Sequence, residues 1–489
     1  MRLTKFVLAA AFLISASVNR TSAQETTEWP DIPLLTVTTE DGAFPTCDVI
    51  YPPEGCVGTG ITNAEYVPGK LVMTLKGDTL YDSGEYVKDE SGMRMKIRGN
   101  STGATVGQKP YKIKLSKKFD LLCRGDKDYK EKDWNLLKIC TWNPGLEGSE
   151  SDILTYLGFI ISKTVGMEWT PGCQFVNLVM NDKYMGMYCM TDAVERGDKR
   201  MDIKKSGFLV ESDAYWWNED VYFKTEHQPS LLGYTFKYPD SDDVDEQTIA
   251  IIQGYLNTFE NALYTGGDVA EYIDLSMFAK WILAHDILNS GDEVGTNMYV
   301  YKDDYDEENP TSTKLKMGPL WDFDSAFKNP EDSDKWSKVH ESAYFYWPEL
   351  FKRDDFVQAY RDEWAAIKDS LLDKVIQGFD ELKITYGSSL DESMKMHNSI
   401  YPDECLRSVQ EQIDELTGKV RDRIEALDFL MSEFESTGIE NVDVSIGTEP
   451  VEVFDMYGMK YNTTDVKSLP SGIYIERYSD GTTRKVLNR

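Results

Sequence analysis

Residues 289–302 read N-S-G-D-E-V-G-T-N-M-Y-V-Y-K, and residues 318–324 read G-P-L-W-D-F-D. The first run leaves an apolar helical pattern, places Asp292 and Asn297 in one loop, and enters a strand at Met298. The second follows a strand-like piece, Lys314 to Met317, and ends on Asp322 and Asp324. Phosphoryl transfer needs a carboxylate to orient the attacking hydroxyl and hard oxygen ligands for a divalent ion. Asp292 suits the first task, and Asn297 with Asp324 suits the second. An Asp followed by Asn five residues later is equally the pattern of a solvated, Asx-capped turn. The pair therefore needs context.

Context lies upstream. Arg98, Gly99, Asn100 and Ser101 form a Gly-containing turn after a strand, and such a turn offers backbone N–H groups to phosphate. It runs on to K-P-Y-K-I-K-L at 109–115, which supplies Lys109, Lys112 and Lys114. A kinase-like fold needs a cation on a strand just after its phosphate-covering turn. Lys112 and Lys114 share one strand face, opposite Tyr111, Ile113 and Leu115. An exposed strand edge decorated with lysine has the same pattern. Further on, Glu211 and Asp213 alternate along a strand and could face the same site.

Outward from these runs, residues 30 to 210 read mainly as short strands with a period of two, among them 34–38, 71–75, 94–98, 111–115 and 175–180. One helix is expected at Asp152 to Thr164, and Asn181-Asp182-Lys183 reads as a hairpin turn. From about 245 the period becomes helical. Ile249, Ile252, Leu256, Phe259 and Leu263 share a face, and Asp274 is placed as an N-cap for the next helix. Helices are predicted again at Asp355 to Leu372 and Leu406 to Phe434. The stripe Ile413, Leu416, Val420, Ile424, Leu427, Met431 reads as core. His285, on the helix before Asp292, reads as a packed or capping histidine. After Ser436 strand-like pieces return, which predicts a small β-rich module over 436–489.

Composition sets limits on partners and compartment. Among 489 residues, 52 Lys plus Arg face 84 Asp plus Glu, a formal net charge of −32. That balance disfavours nucleic-acid backbones and anionic membrane surfaces as partners, since both are polyanions. A nucleotide could be held only where local cations, metal ions or backbone N–H groups reverse the field. Arg2 and Lys5, the apolar stretch Phe6 to Val18 and the small residues Thr21 to Ala23 have the layout of a secretory signal peptide over 1–23. The mature chain is expected to be secreted or held at the cell surface, with the periplasm as an option, and has no later span. Seven cysteines include no C-x-x-C pair, so no zinc or dithiol site is suggested. Cys47 and Cys56, close together in a Pro/Gly-rich loop, could be bridged after export.

Eight short motifs, in order, resemble the CotH kinase family. They are R-G-N-S-T at 98–102, K-P-Y-K-I-K-L at 109–115, W-N-L-L at 134–137 and G-M-Y-C-M-T-D at 186–192. R-M-D-I at 200–203, G-F-L-V-E-S-D at 207–213, D-x-x-x-x-N-M-Y-V-Y at 292–301 and W-D-F-D at 321–324 follow. The chain departs from the pattern at Asp192, where Glu is usual, and after Asp324, where no Gly follows. The resemblance implies an α+β, atypical protein-kinase-like domain over 24–435. Its β-rich N-terminal lobe would cover about 30–210 and its helical C-terminal lobe about 245–435. It further implies ATP with Mg2+ or Mn2+ as cofactors and Asp292 as the catalytic-loop acid. Metal ligands would come from Asn297 and Asp324, with Asp322 as acidic neighbour. The acceptor would be a protein or a small molecule. A kinase-like surface scaffold or adhesion protein without catalysis is the alternative. The tail at 472–487 resembles the C-terminal sorting tails of exported Bacteroidetes proteins.

Overall fold

The computed structural model describes residues 29–105, 107–139, 153–291, 295–328, 330–402, 407–436, 450–455, 459–470, 472–478 and 483–488. Expectations that fall outside them include the signal peptide at 1–23, the site residue Asp292 and the strand-like piece at 442–449. The chain divides into two compact units, through Met431 and from Ser432 on.

The first unit opens with strands β1 (Leu34–Thr39), β2 (Asp48–Ile50), β3 (Gly60–Thr62), β4 (Val67–Leu75), β5 (Asp78–Asp82) and β6 (Met93–Ile97). A one-turn helix α1 (Ser101–Ala104) precedes β7 (Tyr111–Phe119) and β8 (Glu131–Lys138). Helix α2 (Leu154–Val165) then leads to β9 (Cys173–Met180) and β10 (Lys183–Asp192). The sheet runs β1-β9-β10-β8-β7-β6-β4 and closes because β1 also pairs with β4. Seven strands thus form a barrel, with β5 added outside the ring on β4. Closure follows from β1 pairing antiparallel on one side, Leu35 opposite Met73, and parallel on the other, Leu35 opposite Leu178. A closed ring leaves few unpaired edges. Its inside is filled by Leu35, Val37, Met73, Met95, Ile113, Trp134 and Leu178, all essentially inaccessible to water. The β9–β10 hairpin turns through Asn181 and Asp182, both at positive φ (49° and 60°), the shape a two-residue hairpin loop favours.

Next come β11 (Phe208–Asp213), β12 (Tyr222–Phe223) and β13 (Gly233–Tyr238), then helices α3 (Glu246–Thr265) and α4 (Leu275–Leu288). Strands β14 (Met298–Lys302) and β15 (Lys316–Met317) are followed by α5 (Trp347–Leu350), α6 (Asp354–Tyr386), α7 (Ser389–Ile400) and α8 (Val409–Ser436). β11 to β15 make a second, antiparallel sheet in the order β12-β13-β11-β14-β15. The end of the segment expected to be β-rich, β11, pairs with β14 inside the segment expected to be helical, Ser212 opposite Met298. The architecture is mixed α+β, with a closed barrel and a separate sheet threaded into the helical half.

Asp274 caps α4 as anticipated, accepting from the Met277 N–H at 3.0 Å. Eleven of the fourteen residues of α4 are buried, so it is a core helix rather than a surface one. It stops at Asn289, whose φ of 44° turns the chain left-handed. Helix α6 continues past the predicted end at Leu372, because Val375, Phe379 and Leu382 keep its buried stripe going. Among the described residues no helix is long and apolar enough to cross a membrane.

The second unit contains an antiparallel sheet of β16 (Glu452–Asp455), β17 (Lys460–Tyr461), β18 (Gly472–Arg477) and β19 (Thr483–Asn488), in the order β17-β16-β18-β19. Val453, Val466 and Tyr474 form its small core.

Candidate active site

In β6 the run M-R-M-K-I alternates, so Met93, Met95 and Ile97 fill the barrel while Arg94 and Lys96 stay outside. Arg98 continues that outer face. Gly99 then reverses the chain at φ 80°, and a Cβ there would meet the Thr102 hydroxyl oxygen at 2.4 Å. The outer face and the turn form one wall of a cavity of about 1,050 Å³. Arg98, Gly99, Asn100, Ser101 and Lys112 line that wall. Asn297, Asp322 and Asp324 line the same cavity from the segment some two hundred residues later.

The acid-bearing wall is built by alternation. Trp321 and Phe323 are buried and Asp322 and Asp324 point the other way. Phe323 meets Phe159 of α2 edge-on, with ring centroids 5.5 Å apart, and Trp321 packs against the same ring at 6.3 Å. Helix α2 carries Gly158 where Phe323 lands; a Cβ there would sit 2.2 Å from the ring. Asp322 adopts φ 59° and lies 3.3 Å from the Asn297 side-chain nitrogen, itself on a residue with φ 59°. Asp324 has Lys328 at 3.8 Å.

Two predicted residues are not brought to this wall. The Lys109 ammonium donates to the carbonyls of Gly103, at 2.7 Å, and Thr105, and so fastens the one-turn helix α1. Lys114 is absent from the lining and stands 3.9 Å from Asp133 on the barrel exterior. Asp292 lies outside the described residues. Of its neighbours, Gly291 donates to the Ser325 hydroxyl at 3.3 Å and Gly295 lines the cavity.

Lys96 and Lys237, not singled out from sequence, are among the further residues that line it. Glu211 is the hub of the second sheet's wall. One of its carboxylate oxygens pairs with Lys237 at 2.9 Å and the other accepts the Asn297 N–H at 2.9 Å. Burial alone would lower the Lys237 ammonium's pKa; the charge of Glu211 above all reverses this and raises it. Asp213, on the same face of β11, is pushed up to about 8 by burial and then by the neighbouring Glu211 charge. The Arg98 guanidinium, 5.8 Å from the Trp321 ring centre, is pulled down by burial, with Asp322 working against that shift.

Asp192 has a structural place instead. It accepts from Arg124 at 2.8 and 3.1 Å and from the Gly172 N–H at 2.8 Å, with Arg200 at 3.4 Å. His285 is fully buried against Trp281, ring centres 4.1 Å apart, and burial lowers it to about 3.

Among the described residues no three His, Cys, Asp or Glu side chains cluster as an all-protein metal cage would. The donors on the acid wall are two carboxylates and one carboxamide, all capable of presenting hard oxygen. Mg2+ characteristically takes one or two carboxylates and completes its shell with water and substrate phosphates. The donor set fits an ion shared with a phosphorylated ligand.

A family model described as CotH kinase protein matches residues 95–427, which includes the turn at 98–102, the Glu211–Lys237 pair and the acid pair at 322 and 324. The class so defined is that of kinase-like phosphotransferases. The chain belongs to the CotH kinase family. No curated protein matches it.

Proposed function

We propose that this protein is an exported phosphotransferase that moves the terminal phosphoryl group of ATP, with Mg2+ or Mn2+, to a Ser or Thr hydroxyl of a protein at or outside the cell surface. One observation carries the reading: the phosphate-type turn at 98–101 and the acids at 322 and 324 line a single cavity. Bound ATP supplies the transferable phosphoryl group, and the divalent ion offsets its negative charge. On the protein side, the 99–101 backbone and the cations of the barrel wall hold the phosphates. Asn297, Asp322 and Asp324 hold the ion. Asp292 orients the acceptor hydroxyl. Glu211 fixes the Asn297 backbone through the Asn297 N–H and is itself held by Lys237. The barrel and the helix-rich half with its own sheet correspond in this reading to the two lobes of a kinase.

The test is direct. Purified protein given labelled ATP and Mn2+ should label itself or a general acceptor such as casein, and Asp324→Asn should abolish the label. Nucleotide binding with no transfer under any metal would overturn the reading in favour of a kinase-shaped scaffold.

A further inference from the structure

Two cations on the barrel wall, Lys96 and Arg98, make no ion pair among the described residues. Among the described residues the Lys96 ammonium contacts only the Tyr66 ring, 5.0 Å from its centre, and the Arg98 guanidinium only the ring of Trp321. The β6–β7 register makes the situation worse. Lys96 is directly opposite Lys112, and Arg94 directly opposite Lys114. Like charges facing each other across antiparallel strands destabilise the pairing. The carboxylate in ion-pair range of this patch, Asp133, is taken up by the facing strand: it lies 3.0 Å from Lys112 and 3.9 Å from Lys114. Burial first, then Lys112 and Lys114, lower the Lys96 ammonium's pKa, while Glu219 opposes that shift. In a chain of net charge −32 such a patch reverses the prevailing field, and it does so inside the cavity.

We propose that Lys96, with Arg98 beside it, grips the phosphate chain of the nucleoside triphosphate, a task that Lys109 and Lys114 do not share. The inference rests on the phosphotransferase reading and deepens it. Lys109 spends its ammonium on carbonyl oxygens, Lys112 on Asp133 and Lys237 on Glu211. Lys96 and Arg98 keep theirs for a ligand. A polyphosphate lying across both would supply the negative charge that the opposed strands lack.

The experiment is calorimetric titration of the full chain with inorganic tripolyphosphate in the absence of metal, and separately with Mg·ATP. Lys96→Met should weaken both by about tenfold, the loss of one charge-assisted contact to phosphate. Lys96→Arg should stay within about threefold of the parent, since it keeps the charge. Lys118→Met, which removes the same charge at the far end of β7, should change neither. Ligand-free Lys96→Met should melt no lower than the parent, because it relieves a like-charge pair; a structural lysine would show the reverse. If Lys96→Met cannot be assayed, Lys96→Gln carries the same comparison. Mg·ATP binding undiminished in Lys96→Met overturns this inference and leaves the phosphotransferase reading standing. Tripolyphosphate bound through Lys96 by a parent that never binds Mg·ATP overturns the nucleotide reading and this inference with it, leaving a polyanion site without a nucleotide. A parent that binds neither overturns both.

Discussion

Two acids, Asp286 in the last turn of α4 and Asp324 beyond β15, are treated in opposite ways. Asp286, one turn before the helix stops, is wholly buried. Its carboxylate accepts from the Ser337 N–H at 3.0 Å, the Tyr360 hydroxyl at 2.6 Å and His340 at 2.8 Å. Burial would raise its pKa, yet those partners, His340 foremost, outweigh burial and hold it down. Arg423 then binds the Asp286 carbonyl and the carbonyls of Ser333 and Lys335. Asp324 is only partly covered and, among the described residues, pairs with Lys328 at 3.8 Å. The contrast separates an acid that holds the frame from an acid available to a ligand. A carboxylate with its lone pairs filled stabilises; one facing a cavity can take a cation.

The largest effect should come from breaking the first of these. Asp286→Ala strands the buried Ser337 N–H, Tyr360 hydroxyl and His340 without their acceptor, at a cost of about 3–5 kcal/mol. Urea denaturation would measure it, and a loss under about 1 kcal/mol would show that the network is dispensable. Asp324→Asn should do the reverse. Phosphotransfer should fall by at least about a hundredfold, while the denaturation midpoint stays near that of the parent. A variant that lost activity and stability together would erase the distinction between the two acids.

The next effect sharpens how the open acids are aimed. Trp321 and Phe323 are the anchors that turn Asp322 and Asp324 outward, and Phe323 can seat only because position 158 has no side chain. Gly158→Ala places a methyl 2.2 Å from that ring. Either the ring or the helix must give, and overpacking of this kind costs about 1–3 kcal/mol. Activity should fall in proportion to the displacement of the acids, and Phe323→Leu in the same chain should recover part of it. Equal activity in Gly158→Ala and parent would mean the anchor does not set the aim.

Much of this wall was legible, because W-D-F-D states its own alternation. The strand K-P-Y-K-I-K-L likewise announced which lysines share a face. It could not announce which of them reaches the cavity. Lys114 lies one face-repeat beyond Lys112, about 6–7 Å further along the strand, and that step takes it off the wall. Lys109 precedes Pro110, sits off the strand, and bends back onto the turn. Lys96 was hidden for a different reason: in M-R-M-K-I it reads as ordinary exterior decoration until the register sets it against Lys112. Glu211 was visible as half of an alternating pair, but its partner Lys237 belongs to the neighbouring strand, two positions past Thr235, which faces Glu211. No local pattern encodes that pairing. Barrel closure was hidden in the same way. A period of two reveals which side of β1 is buried, and says nothing of its having β4 on one edge and β9 on the other.

The smallest effect concerns Asp213, an acid intermediate between the two extremes: buried like Asp286, yet lining the cavity like Asp324. Its carboxyl accepts the Tyr215 N–H at 2.8 Å, and burial together with Glu211 pushes it up to about 8 from the ordinary 3.8. The folded chain therefore keeps this proton across a range where the unfolded chain has released it. Between about pH 4 and pH 8 the native state binds more protons, so stability declines as pH rises through that window. This group's contribution is complete below the ordinary carboxyl range and lost above about 8. Asp213→Asn mimics the protonated form and should flatten the decline, by on the order of 1–3 kcal/mol over that span. Denaturation midpoints taken from pH 5 to pH 8.5 would read it. A parent whose stability rises over that interval, or an Asn variant with an undiminished slope, would place Asp213 with the ionised acids and leave Lys237 balancing two charges instead of one.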